Sequence, residues 1–344
     1  MWGLIMGRVK HQDTQRMMAW LLAHREPYFT VTVQSASAPF IYSFTPYIDT
    51  GDSFWVDWGD GNEDTYTTAS SSEKTHEYAN SGTYTIRMLG SAGINRVRIS
   101  PTNAERAALV IDSNGNLDKL GTITSTYNMF RACPNLAMTK LTGGITSIDN
   151  EAFYGCSSLA LTSLPESVTA INYAAFQSCT NLALPSLPAN VTSIGTYAFR
   201  DCTSLALTSL PEDVTNISTY AFLNCTSLAL TSLPEGVTTI SDYAFEGCTS
   251  LALTSLPANV ASIGTNAFNG CTNLALTSLP EGVTGIGNNA FGYCTNLALT
   301  ALPANLTGID RFAFQYCPNL ALTSLPEGIT SINTCAFEGC TNSL

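Results

Sequence analysis

Positive charge is scarce in this sequence and unevenly placed. The 344 residues hold 14 Lys and Arg against 26 Asp and Glu, and beyond residue 120 only four Lys or Arg face 13 Asp or Glu. Such a chain has little with which to neutralise phosphates, which argues against nucleic acid and against anionic lipid as partners. Histidine is nearly absent as well: His11, His24 and His76 are the whole supply, and all precede residue 121. With no recurring carboxylate pair, no Ser/His/Asp set and no glycine-rich phosphate loop, neither an enzyme nor a cofactor is expected.

Long apolar runs are missing too. Nothing approaches the roughly 18 residues of a membrane span, so no membrane insertion is expected. The nearest stretch, MMAWLLA at 17–23, is flanked by Arg16 and His24 and lacks a small-residue cleavage site after it. It reads as part of an amphipathic helix within residues 1–27, with Asp13 as N-cap and Pro27 beyond its end, and there is no clear signal peptide.

What the chain does have is a period. Of its 11 cysteines, ten stand at 133, 156, 179, 202, 225, 248, 271, 294, 317 and 340, in steps of 23 residues. A phenylalanine precedes each by three residues, from Phe130 to Phe337. Leucines follow at eight, from Leu141 to Leu325, and isoleucines at fifteen, from Ile148 to Ile332. One unit cannot bury these anchors alone, whereas a stack of coils buries them all. Pairing one short strand per coil at about 4.8 Å gives a rod about 45 Å long. LALTSL is the expected strand, ended by the proline that follows it. V-x-x-I then turns back, and A-F-x-x-C is expected to be a short helical or 3₁₀ piece.

Stacked, in-register cysteines do not reach the torsion of a disulfide easily, so the file reads as reduced, buried thiols. Cys335 breaks the period and occupies a column that elsewhere holds Tyr, Asn or Phe, which makes it an exposed free thiol.

The pattern C-x-x-L…L-P-x-x-V-x-x-I-x-x-x-A-F-x-x-C resembles the leucine-rich repeat of the BspA, or Treponema pallidum, type, over residues 129–344. Leucine stands five and eight after each cysteine where that family has apolar residues at six and eight, which leaves the strand register open by one residue. Ahead of the array, YFTVTV, FIYSF, SFWVDW, EDTYTT, GTYTIRML and INRVRI alternate as β-strands. FWVDWGDGNED followed by THEYANSGTYTIRM resembles a PKD domain, an immunoglobulin-like sandwich.

The expected fold is therefore mainly β with short helical segments: a PKD-like β-sandwich at 28–100, a solenoid cap at 101–128 and a leucine-rich-repeat solenoid of 23-residue units at 129–344. Within the hairpin, Asp60, Asn62 and Asp64 alternate as in a calcium loop. Thr65 stands where such a loop has glycine and Ser71 where it has a bidentate glutamate, so a plain turn is favoured.

Candidate binding residues come from the copies themselves. LALTSLP hardly changes, whereas the slots before A-F and between A-F and cysteine vary. They hold Tyr173, Tyr197, Arg200, Tyr220, Tyr243, Tyr293, Arg311, Phe312 and Tyr316. Aromatic and arginine side chains give large contact area at low entropic cost, as recognition surfaces use them; free drift of loop residues is the competing account. The resemblance implies a bacterial surface adhesin that meets a host or bacterial surface protein or glycan. A phage tail-associated receptor binder and a purely structural spacer are the alternatives, with the oligomeric state left open.

Overall fold

The computed structural model describes residues 28–99 and 101–341. The helix expected within residues 1–27 lies outside them.

The first unit is built from two antiparallel sheets. Strands β1 (Phe29–Ser35), β2 (Phe40–Pro46), β3 (Phe54–Asp57), β4 (Glu63–Tyr66), β5 (Lys74–Tyr78), β6 (Gly82–Gly90), β7 (Val97–Arg98) and β8 (Val110–Ser113) arrange as β4-β3-β6-β1-β8 and β5-β2-β7. Period-two alternation sends Phe29, Val31 and Val33 of β1, and Ile86 and Met88 of β6, into the interior. From the other sheet Phe44 meets Phe54 at 5.4 Å and Trp58 at 5.6 Å. The buried polar tips find partners: Tyr78 OH donates to Trp58 O at 2.8 Å and Tyr42 OH to Ile99 O at 2.9 Å. The β3–β4 turn needs glycine at 59, where φ is +80° and a Cβ would stand 2.6 Å from Thr85 O.

Residues 101–128 do not stand apart as a cap. A short helix, α1 (Ala104–Ala107), is capped by Asn103, and β8 then joins β1 as an edge strand of the five-stranded sheet. Ile111 O of β8 accepts from Ala137 N of the first coil at 2.9 Å, and Ile99 N donates to Met129 O at 2.9 Å. Arg96 wedges its guanidinium between Tyr47, at 4.2 Å, and Tyr127, at 4.7 Å. One continuous apolar core runs from Phe29 into the array.

In the array the regular ladder is not where the sequence placed it. Two-residue parallel strands β9 (Ser147–Ile148), β10 (Ala170–Ile171), β11 (Ser193–Ile194), β12 (Thr239–Ile240), β13 (Ser262–Ile263), β14 (Gly285–Ile286), β15 (Gly308–Ile309) and β16 (Ser331–Ile332) form at the isoleucine. Register is isoleucine on isoleucine throughout. LALTSL forms no strand, because Leu205 and Leu207 point in, Thr208 and Ser209 both point out, and Leu210 points in again, which breaks alternation. From Ala229 onward one backbone bond per step spans it, as from Ala229 N to Leu207 O at 3.1 Å. Both leucine positions five and eight after the cysteine are buried, as Leu207 and Leu210 illustrate.

The ladder has one weak rung. Ile217 bridges Ile194 and Ile240 without forming a strand. At this rung Ser218 Oγ donates to Ile194 O at 2.6 Å, taking the carbonyl position that the backbone of Gly195 occupies one coil earlier, on Ile171 O at 2.8 Å. A local hydroxyl has displaced a ladder bond.

A-F-x-x-C is a chain of tight turns rather than a helix. Amide groups alternate in use: those of Tyr197, Phe199 and Asp201 donate to Thr219, Ala221 and Leu223 of the next coil, whereas those of Ala198, Arg200 and Cys202 close three-residue-back turns. A helix would spend every N–H within itself, leaving none for the next coil. The phenylalanines stack with centroids 5.3–5.5 Å apart from Phe130 to Phe337.

Nine of the cysteines are buried, Cys340 is half-buried and Cys335 is exposed. They do more than fill space. Each thiol from Cys156 to Cys340 donates to the carbonyl of the phenylalanine 26 residues earlier at 3.0–3.1 Å, as Cys179 does to Phe153. The neighbouring threonine hydroxyls make a parallel file, Thr203 Oγ1 donating to Thr180 O at 3.3 Å and Thr226 Oγ1 to Thr203 O at 3.2 Å.

Candidate recognition surface

Alternating amide use imposes a backbone conformation on two columns. The residue five before each cysteine has φ between 50° and 61° in all ten copies, and the residue one before has φ between 54° and 74°. L-residues other than Gly, Asn and Asp resist this left-handed region, at roughly 1–2 kcal/mol per residue. Asn128, Asn266 and Asn289 in one column and Gly155, Gly247, Gly270 and Gly339 in the other are the relaxed choices. Six aromatic residues stand there instead: Tyr197, Tyr220, Tyr243 and Phe312 in the first, Tyr293 and Tyr316 in the second.

Those rings form two groups. Tyr197 stacks on Tyr220 at 4.7 Å and Tyr220 on Tyr243 at 4.5 Å, while Tyr173 meets Tyr197 edge-on at 5.7 Å. Arg200 lies 5.6 Å over Tyr197 and bonds Asp201 at 3.1 Å. Farther along, Tyr293 stacks on Tyr316 at 5.1 Å and Arg311 covers Phe312 at 4.4 Å. Each ring contact returns about 0.5–1.5 kcal/mol, of the same order as the left-handed backbone takes, so stacking offsets the strain without a large surplus. Tyr173, Tyr293 and Tyr316 are 43–47% exposed; Tyr197, Tyr220, Tyr243 and Phe312 are half-buried in their stacks.

The structure adds residues the sequence reading passed over. Tyr127 shares the column of Tyr173, and Arg131 and Tyr154 share that of Arg200, with the Arg131 guanidinium 5.1 Å over Tyr154 and its Nε 2.9 Å from Glu151. With Arg96 and Tyr47 they extend the aromatic wall back to the first unit. Their column positions were the available signal, hidden because the first copies diverge elsewhere.

Burial pushes the file of cysteine thiols up, Cys317 to about 12, so these sulfurs are inert. Desolvation and the Glu338 carboxylate also raise Cys335, with Arg311 opposing. Tyr220 is raised by desolvation, then by Tyr243, Tyr197 and Glu246.

The hairpin carboxylates of the calcium-like loop have partners within the first unit. Asp60 accepts from Asn62 N at 3.0 Å and pairs with His76 Nε2 at 2.7 Å, and Asp64 accepts from Trp58 Nε1 at 2.8 Å. Burial acts to raise the Asp60 carboxyl, and the His76 and Asn62 hydrogen bonds outweigh it, holding the group below the usual value. His76 itself stacks on Trp58 at 4.7 Å. Among the described residues no group of three or more His, Cys, Asp or Glu could hold a metal ion.

A family model described as the BspA type leucine rich repeat region matches residues 124–252 and 215–343. Among solved structures, a leucine-rich repeat protein of Treponema pallidum is 33% identical, over 52% of this chain and 80% of that one, with a TM-score of 0.41. A leucine-rich cell surface protein of Faecalibacterium prausnitzii is 29% identical, over 63% and 68%, with a TM-score of 0.45. No curated protein gives a significant match.

Proposed function

The chain belongs to the BspA type leucine-rich repeat family, and from that premise we propose that it is a non-enzymatic, adhesin-like binding protein. It acts outside the cell and recognises a protein or glycan through the turn wall of its solenoid. One observation carries this reading: six aromatic side chains occupy left-handed backbone positions, where sister copies carry mostly Asn or Gly and otherwise Ala, Glu, Ser, Asp or Cys. Backbone strain kept at the surface clusters at functional sites. Regular stacking makes the wall rigid, so little ordering entropy opposes binding.

The first unit acts as a spacer or anchor of PKD-like type. Its two antiparallel sheets, the Gly59 turn and the His76–Trp58 stack support that reading. Among the described residues no helix is long and apolar enough to cross a membrane.

The test is the triple substitution Tyr197→Asn, Tyr220→Asn and Tyr243→Asn, which suits the left-handed backbone. Wild type and variant are applied to arrays of host proteins and glycans, with melting followed in parallel. Capture falls at least about tenfold while the melting temperature holds or rises. Capture that survives the triple change sinks this surface, and blank arrays for both proteins favour a spacer.

A further inference from the structure

We infer that the Tyr243 end of the aromatic column, with Asp242 and Glu246, receives a guanidinium or ammonium group of the protein partner over the outer face of the Tyr243 ring. This rests on the reading of the turn wall as the recognition surface, and it names the chemistry that one part of it reads.

The wall supplies its own reference. Four of its rings carry an arginine of this chain: Tyr127 has Arg96 at 4.7 Å, Tyr154 has Arg131 at 5.1 Å, Tyr197 has Arg200 at 5.6 Å and Phe312 has Arg311 at 4.4 Å. Tyr243 has Tyr220 on its inner side at 4.5 Å. On its outer side the next copy offers Asn266 in that column, and among the described residues no Lys or Arg lies over the ring.

In the column where two other copies place Arg131 and Arg200 this one places Glu246, and in the column of Arg311 it places Asp242. Arg131 is matched by Glu151 and Arg200 by Asp201, at 2.9 and 3.1 Å. Asp242 and Glu246 join no ion pair among the described residues. Asp242 Oδ1 accepts from Thr265 N at 2.8 Å and Glu246 Oε1 from Asn269 Nδ2 at 3.1 Å, so each keeps a second oxygen for an incoming donor. A ring face flanked by two acceptor groups attracts a cation through both the quadrupole and charge-assisted hydrogen bonds. A sugar ring has less to use here, since the faces of Tyr197 and Tyr220 are turned to one another and to Tyr243.

The probes are a hexaarginine peptide, its uncharged hexacitrulline counterpart and a neutral cello-oligosaccharide, titrated into the full chain by calorimetry. Two double variants remove equal charge: Asp242→Asn with Glu246→Gln, and Glu212→Gln with Asp213→Asn at the exposed corner after Pro211. Hexaarginine affinity falls about tenfold or more in the first and less than about twofold in the second, and hexacitrulline does not bind. Equal losses in both variants, or no hexaarginine binding, overturn the inference. Tighter binding of the cello-oligosaccharide than of hexaarginine overturns it as well. An array ligand lost in the triple tyrosine variant but indifferent to the Asp242 and Glu246 changes defeats the cation site and leaves the recognition wall standing.

Discussion

The two parts of this molecule reach the same end, a dry interior, by opposite use of sequence. In the first unit the contacts that tie the sheets together are each made once and between distant positions. Asn114 Nδ2 donates to Tyr28 O across 86 residues, and Tyr42 OH reaches Ile99 across 57. In the array the contacts between coils join residues near 23 apart and are then made again, as the thiol and threonine files show. Loss of a unique contact is felt by a whole cooperative unit. Loss of a repeated one is felt by its neighbours, since stability in a stacked array sums over nearest-neighbour interfaces.

The largest effects test that contrast directly. Trp58→Ala and Phe222→Ala each remove a fully buried ring and each cost about 3–5 kcal/mol. Hydrogen exchange separates them: Trp58→Ala loses protection across all strands of the first unit, whereas Phe222→Ala loses it in the coils adjoining residue 222. Protection lost equally along the whole array after Phe222→Ala would make the solenoid a single cooperative block.

A smaller change probes the thiol file. Cys248→Ala removes the donor to Phe222 O, 3.0 Å away, and lowers stability by about 1 kcal/mol in urea titrations. Cys248→Ser, which keeps a hydroxyl donor, loses less; if serine proves worse than alanine, the sulfur acts as an apolar group and not as a donor. The smallest effect lies at the weak rung. Ser218→Gly frees Ile194 O, and amide exchange at residue 218 slows as the backbone takes the bond, with stability changed by only a few tenths of a kcal/mol.

How far the sequence could be read differed along the same lines. The inward columns of Phe, Cys, Leu and Ile were plain, because an anchor that must fit its own copy cannot vary. Strand position was not plain, because LALTSL is constant for packing and not for pairing, and constancy does not tell the two apart. The left-handed columns had left a trace: Asn recurs five before the cysteine and Gly one before, the residues that conformation prefers. Tyrosines in the same columns disguised it. Tyr127, Arg131 and Tyr154 went unnoticed although their columns could be counted from the cysteines, since the first copies diverge from the rest.

The alternating amide bonds carry one more consequence. Along the turn wall the N–H groups point forward, from Phe199 to Ala221 O, while along the isoleucine ladder they point backward, from Thr192 to Thr169 O. The bond dipoles of the two walls therefore oppose one another, unlike those of an α-helix, whose dipoles add along the axis. The two sets offset one another in part, so each added coil contributes less polarity between the ends of the rod than the same length of α-helix would.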